Sequence, residues 1–167
     1  MYKKGFTKIE ILIIAAIIGI LGITAVVAIS TARSRTRDAV RMSDIRQLQA
    51  GLELFFIDHN AYPQSLEYTA LGYTGTMCLS NSGFSSVCES DVYLESVGKA
   101  PSGGLNDMSS CSDISNAYCY LAQDGDYRIQ FELEHDNPVI GLVKGLNCAS
   151  HRGLDAGTCD TIPTIEQ

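Results

Sequence analysis

The residues with the clearest chemical potential lie near the start of the chain, where a carboxylate meets a long apolar run. Two lysines precede a Gly5-Phe6 junction, and Glu10 stands immediately before the uncharged run from Ile11 to Ala32. A carboxylate close to hydrocarbon is costly, by an amount that falls toward the membrane interface. Glu10 therefore requires either access to water by snorkelling or a cationic partner.

The six cysteines form the second chemically notable set, and all of them follow the apolar run. They are Cys78, Cys88, Cys111, Cys119, Cys148 and Cys159. An even number in a region rich in Ser, Gly and Asn indicates disulfides formed in an oxidising compartment. Of the 15 possible connectivities we favour the local one, in which the cysteines pair in sequence order, and the others remain open. No pair has Cys-x-x-Cys spacing and the three histidines stand apart, so a zinc site is not expected.

The apolar run is long enough to cross a bilayer. Its 22 residues span about 33 Å as a helix. The Gly5-Phe6 junction precedes the run, whereas an ordinary secretory signal is cleaved after its hydrophobic region. Cleavage at Gly5 would therefore retain the helix, and an uncleaved single-pass anchor is the alternative. The cysteines place the remainder of the chain outside the cytoplasm.

Charge is distributed unevenly along the chain. Residues 1–46 contain 8 Lys/Arg and 3 Asp/Glu, whereas residues 47–167 contain 4 and 16. An acidic head of this kind repels nucleic-acid phosphates, so direct binding of nucleic acid is not expected. No Ser, His and Asp set and no phosphate-binding glycine loop is recognisable, and cysteines paired in disulfides are not nucleophiles. The sequence predicts neither an enzyme nor a cofactor.

Beyond the apolar run the pattern becomes that of an amphipathic helix. Apolar residues recur at intervals of three and four, at Ile45, Leu48, Leu52 and Phe55. Pro63 disfavours helix at the residue before it, and Asn60 is a ready C-cap. A helix running from Phe6 to about His59 is therefore expected, with one face packed on a head. The arginines from Arg33 to Arg46 are interpreted as a solvated or lipid-facing collar, or as partners of acidic residues in adjacent subunits.

Three strands are predicted in the second half of the chain. Tyr127 to Glu134 alternates apolar and polar residues without a break. Tyr118 to Ala122 is its predicted partner across a turn at residues 123–126, and Val139 to Val143 is the predicted third strand. An antiparallel sheet of this kind can cover the apolar stripe of the helix. The predicted fold class is α+β, with a long N-terminal helix packed on a small antiparallel sheet and loops stapled by disulfides.

The other head segments are predicted to be loops. Residues 64–116 are rich in Ser, Gly and Asn, and we expect a long connecting loop with one short helix near Asp91 to Val97. The final segment, Leu146 to Gln167, also has the composition of a loop, anchored by two cysteines. These assignments leave the helix and three strands as the framework of the head.

Taken together, the N-terminal features resemble the class III signal of type IV pilins and of the pseudopilins of type II secretion. The shared features are a short basic leader, a Gly-Phe junction, a Glu as the fifth residue after it and the apolar run that follows. The Asn60-Ala61-Tyr62-Pro63 segment is also similar to the close of the long helix in these families. The resemblance is specific from Met1 to Pro63 and becomes one of general layout beyond it.

The resemblance implies roles for individual residues at the N-terminus. A membrane peptidase would cut between Gly5 and Phe6, and the new Phe6 amine would be methylated. Glu10 would pair with the Phe6 ammonium of a neighbouring subunit, and Thr7 also matches the family pattern. Lys8 departs from it, because an apolar residue is more usual there.

Within the apolar run, Gly19 and Gly22 are predicted assembly positions. Ala15 and Gly19 are four residues apart, and Gly22 follows three residues later. Small residues at such spacing allow helices to approach closely in a membrane, and glycine also weakens a helix. Many pilins have a proline in this helix, whereas the run from Ile11 to Ala32 contains none. The two glycines are therefore the only candidates for a weak point.

Asp124 and Asp126 are weak candidates for a calcium site. The resemblance suggests calcium because major pseudopilins bind it in a late loop, and hard cations prefer several oxygen ligands. An Asp-Gly turn between two strands explains the same residues without an ion, and no full ligand set is recognisable. No metal is therefore expected.

The resemblance implies four regions and a structural function. The regions are a leader at 1–5, a transmembrane and assembly helix at 6–32, an amphipathic helix at 33–60 and a globular head at 61–167. The expected protein is a major pilin that waits in the cytoplasmic membrane and polymerises into a surface filament for adhesion, motility or DNA uptake. Its expected partners are further copies of itself, prepilin peptidase, the pilus assembly platform and minor pilins. The alternatives are a major pseudopilin and a membrane-anchored binding module that does not polymerise.

Overall fold

The computed structural model describes Gly5, residues 7–123 and residues 125–159. One helix, α1 (Lys8–His59), makes up the N-terminal part. It begins at Thr7, whose side chain caps it, and ends at Asn60, which has the left-handed φ of 52° typical of a helix C-cap. The predicted end of the helix is therefore confirmed. The 52 residues of α1 extend over about 78 Å.

The head is built on a five-stranded antiparallel sheet. Its strands are β1 (Ser65–Leu71), β7 (Tyr118–Gln123), β8 (Asp126–Leu133), β9 (Gly145–Ser150) and β10 (Gly153–Ala156), hydrogen-bonded in that order. β8 is central, with Cys119 opposite Gln130 on one side and Cys148 opposite Gln130 on the other. Every neighbouring pair of strands is antiparallel, so the predicted α+β class with an antiparallel sheet is confirmed.

Two small sheets decorate the segment between β1 and β7. The first contains β2 (Cys78–Ser80), β3 (Gly83–Ser85) and β4 (Val92–Leu94), with β2 in the centre. The second pairs β5 (Ser110–Cys111) with β6 (Ile114–Ser115). Short strands of this kind are only marginally stable alone, and here disulfides and packing against α1 support them.

The three disulfides each join cysteines that are neighbours in sequence order. They are Cys78–Cys88, Cys111–Cys119 and Cys148–Cys159. The first closes the loop after β3 onto β2, the second ties β5 to β7, and the third ties the described end of the chain to β9. The disulfide-stapled loops predicted from the sequence are therefore present.

The core lies between one face of α1 and one face of the large sheet. The four helix residues predicted from spacing, Ile45, Leu48, Leu52 and Phe55, are all buried. They pack with sheet residues that include Tyr120, Tyr127, Ile129 and Phe131. Burying large aromatic and aliphatic side chains contributes about 1.5–3 kcal/mol each, so this layer is the main source of stability of the head.

Four of the predicted elements are wrong. Residues 139–143 are a turn with one isolated bridge between Asn137 and Leu142, since Gly141 has a φ of +76° that ends any extended strand. The third strand is β9 instead, which begins at Gly145 and otherwise lies in the segment from Leu146 that had been expected to be a loop, and β10 follows it.

The predicted short helix near Asp91 to Val97 is also absent, because this segment contains β4, and residues 64–116 hold six short strands rather than a single long loop. β4 forms by pairing with β2, a partner more than ten residues away. Such pairing is a tertiary effect that local composition does not reveal.

Candidate functional site

The N-terminus of α1 holds Glu10 in a capping box. The Oε2 atom of Glu10 accepts hydrogen bonds from the backbone N–H of Thr7 at 3.0 Å and from the Thr7 hydroxyl at 3.1 Å. The Thr7 Oγ1 atom in turn accepts from the Glu10 N–H at 3.3 Å. A carboxylate in the first helical turn also interacts favourably with the helix dipole. Glu10 is thus held in the first turn of the helix, against its N-cap residue Thr7.

The other predicted residues at this end are placed only in part. Gly5 is exposed, while Phe6 lies outside the described residues. Cleavage after Gly5, methylation of Phe6 and an ion pair between Phe6 and Glu10 remain predictions. The observed capping box shows that Thr7 and Glu10, both predicted from the family resemblance, are brought together.

The head does not cover the first half of α1. Every residue from Thr7 to Arg33 is exposed, including apolar residues such as Ile9 and Ile23. The helix is long and apolar enough to cross a membrane. Such a surface is stable only in lipid or against other apolar surfaces. A Cβ atom at Gly19 or Gly22 would meet nothing within 4 Å, so the single chain gives no packing reason for either glycine.

A cluster of charges, which we call the helix–head clamp, joins α1 to the end of β8. Its members are Arg37, Asp38, Arg41 and Glu134. Arg37 binds Glu134 through two hydrogen bonds of 2.7 and 2.6 Å, and Arg41 binds the Glu134 Oε1 atom at 2.9 Å. Arg41 also donates to the Oδ1 atom of Asp38 at 2.7 Å, and that atom accepts the N–H of Glu134 at 2.9 Å. Two arginines and two carboxylates thus neutralise one another.

Burial makes the clamp energetically important. Arg41 is completely buried and also donates to the carbonyl oxygens of Pro101 and Gly103 at 2.6 and 3.2 Å. Burial alone would raise the pKa of the Glu134 carboxyl, but the hydrogen bonds and charges of Arg37 and Arg41 outweigh it and hold this pKa below its usual value. The Glu134 carboxylate therefore remains ionised at neutral pH.

The interpretation of the arginines as a collar or as partners of adjacent subunits is wrong for Arg37 and Arg41, which bind acidic residues of their own head. Their spacing of four residues on one helix face was a signal that both point the same way. Their partner Glu134 lies 93 residues beyond Arg41, so only the fold could reveal it.

The calcium candidates receive no support from the described residues. Asp124 lies outside them, and the Oδ1 atom of Asp126 lies 2.6 Å from the Nδ1 atom of His151 and accepts the N–H of Tyr127. Within residues 7–123 and 125–159, no group of three or more His, Cys, Asp or Glu is placed to hold a metal ion. Asp126 instead links the start of β8 to the turn between β9 and β10.

Sequence comparison identifies proteins that resemble part of the chain. The chain is 32% identical over 63 residues to the type II secretion system core protein G of Pseudomonas aeruginosa, which covers 38% of this chain and 44% of that protein. It is 31% identical over 94 residues to two fimbrial proteins of Pseudomonas aeruginosa, covering 53% of this chain and 60% of each relative. The chain is therefore similar to a type II secretion core protein and to fimbrial proteins over up to about half of its length.

The chain spans about half the length of the curated relatives it matches. No family model and no solved structure matches it. The relatives include both a secretion component and fimbrial proteins, and the identities to the two kinds are nearly equal. The long exposed helix and the disulfide-containing α+β head agree with the layout expected from the resemblance to pilins and pseudopilins.

Proposed function

We propose that this protein is the repeating structural subunit, or major pilin, of a type IV pilus. The observation that carries the proposal is the uncovered apolar half of α1, from Thr7 to Arg33, with Glu10 at its end. A surface of this kind suits a helix that first lies in a membrane and then packs against other copies in a fibre. The similarity to two fimbrial proteins supports this reading.

In this proposal prepilin peptidase removes residues 1–5, and the amine of Phe6 is methylated. The processed chain waits in the cytoplasmic membrane with its head outside. Assembly replaces lipid around the helix with neighbouring helices, and Glu10 exchanges its contact with Thr7 for the Phe6 ammonium of a neighbour. Gly19 and Gly22 allow the helices to approach closely. An assembly platform and minor pilins are the proposed partners in this process.

The proposed role is structural and not enzymatic, and it requires no cofactor. All six cysteines are in disulfides, which removes them as nucleophiles. The finished filament would serve adhesion, motility or DNA uptake at the cell surface.

A second candidate, the major pseudopilin of a type II secretion system, is favoured by the similarity to core protein G. This role uses the same helix and the same processing, but the fibre would be short and would remain below the outer surface. A membrane-anchored binding module that never polymerises is the third alternative, and it would have no need for Glu10.

The test is mass spectrometry of filaments sheared from the source cells. The pilin proposal predicts a major band that begins with a methylated Phe6 and contains three disulfides. Glu10→Gln should abolish filaments, whereas Glu89→Gln, an exposed acid in the head, should leave them intact. A processed chain confined to the membrane fraction would support the pseudopilin instead. An uncut chain in the membrane would refute both.

A further inference from the structure

We propose that one edge of the head rests on the lipid headgroups of the membrane that α1 crosses. This edge consists of residues 135–144, which connect β8 to β9, together with Met108; we call it the membrane-proximal edge. The inference depends on the proposed insertion of α1 in a bilayer, but it concerns the head, to which no role before assembly has been given.

The first step is the absence of a spacer between the apolar run and the head. The run ends at Ala32, and the Ser34 hydroxyl already lies 3.4 Å from the Nε2 atom of His135. Two residues of helix correspond to a rise of about 3 Å. The headgroup layer of a bilayer is about 5–7 Å thick on each side. When the run spans the hydrocarbon, His135 therefore lies at the depth of the headgroups.

The second step is the apolar character of this edge. Val139 is 91% exposed, Met108 is 50% exposed and Val143 is 40% exposed. Met108 belongs to the same surface, because its Sδ atom lies 3.7 Å from the position that a Cβ would occupy at Gly145, two residues after Val143. Exposed apolar side chains gathered at one end of a domain indicate an interaction surface.

The third step is the balance of charge around the edge. Arg33, Arg35 and Lys144 are exposed, and their side chains form no hydrogen bond or ion pair with any residue that the structure describes. The nearby acid Asp136 accepts the backbone N–H of Lys144 at 2.7 Å. The clamp carboxylates are neutralised by their own arginines. Unpaired cations beside apolar side chains are the combination that favours an anionic lipid surface.

A competing occupant is a second copy of the chain. The helix and the loop at residues 135–140 border a groove of about 950 Å³, which Met42, Val139 and Ile140 help to line. The absence of a spacer favours lipid, because the bilayer is adjacent to this edge in every anchored molecule, whereas a second copy is adjacent only after association. The experiment distinguishes the two.

The protein contains no tryptophan, so a single introduced tryptophan reports on its own surroundings. Val139→Trp places the reporter on the membrane-proximal edge. Leu66→Trp is the matched control, since Leu66 is 81% exposed and follows Ser65, which pairs with Ala122 at the opposite end of the sheet. The seven residue steps of β8 separate the two ends by about 23 Å.

The full-length variants are reconstituted in vesicles of zwitterionic lipid with or without anionic phosphatidylglycerol, and brominated lipids serve as quenchers. We expect the Val139→Trp emission to shift to shorter wavelength and to be quenched at least twofold more than that of Leu66→Trp. The difference should be larger in the anionic vesicles. Val143→Trp should behave in the same way as Val139→Trp, which guards against a local defect in one variant.

Equal quenching of the Val139→Trp and Leu66→Trp variants in vesicles that carry the protein would overturn the inference. A Val139→Trp shift that increases with the protein-to-lipid ratio, without quenching by brominated lipid, would also overturn it, because a second copy would then cover the edge. Failure of the protein to float with the vesicles would instead refute the proposed insertion of α1. The two failures are therefore distinguishable.

Discussion

Replacing Arg41 by methionine should destabilise the head by about 3–4 kcal/mol. The substitution keeps an apolar stem of similar length and removes the buried guanidinium with its hydrogen bonds to Asp38, Glu134 and two backbone carbonyls. Breaking one partner of a buried ion pair costs about 3–5 kcal/mol. Arg37 remains bidentate on Glu134 and neutralises part of the orphaned charge, so the lower half of that range is expected.

The assay is urea unfolding of the full-length chain in detergent micelles, followed by near-ultraviolet circular dichroism of the buried tyrosines. With a denaturant slope of about 1.5 kcal/mol per molar urea, the midpoint of Arg41→Met should fall by about 2 M. Arg46→Met is the matched control, since Arg46 lies on the same helix, is exposed and forms no ion pair with a described residue. It should change the free energy of unfolding by less than about 0.5 kcal/mol. Indistinguishable midpoints for the two variants would refute the role given to the clamp.

Three further predictions concern the head. Burial raises the pKa of Asp44 despite a hydrogen bond from a tyrosine hydroxyl, so the folded state binds this proton more tightly than the unfolded state does. The free energy of unfolding therefore falls as the pH rises through the unfolded and then the folded pKa of Asp44. Asp44→Asn should raise the free energy of unfolding at pH 7 and not at pH 3, as measured by urea unfolding at both values. Gly104→Ala should lower the free energy of unfolding by about 3 kcal/mol, because Gly104 has a φ of +69° and a Cβ there would lie 1.8 Å from the Glu134 carboxylate. An unchanged urea midpoint would count against this geometry. Replacing Cys148 and Cys159 by serine should cost about 3 kcal/mol, the entropy of closing an 11-residue loop, and a loss below 1 kcal/mol in the same assay would contradict it.

The helix and the central strand were predictable because their signals are local. The spacing of Ile45, Leu48 and Leu52 identifies the buried face of α1, and Asn60 marks its end. The alternation in β8 follows from burial of one face of the sheet. These signals depend only on residues within a few positions of one another.

The other strands and the clamp were not predictable because their causes are distant in sequence. β9 consists largely of small residues, and its strand character depends on pairing with β8. Arg41 looks like any surface arginine in the sequence, and it is buried only because Glu134 is carried to the same place by the end of β8. Tertiary packing determines the structure at such positions, and the pattern of neighbouring residues in the sequence does not.

The exposure of the first half of α1 separates its residues from those that stabilise the head. Since every residue from Thr7 to Arg33 is exposed, this half gives the head no internal support, and the head needs none from it. The side chains there contact only what surrounds the molecule, whether fatty acyl chains or other protein. The head can therefore keep its fold whatever medium surrounds this half of the helix.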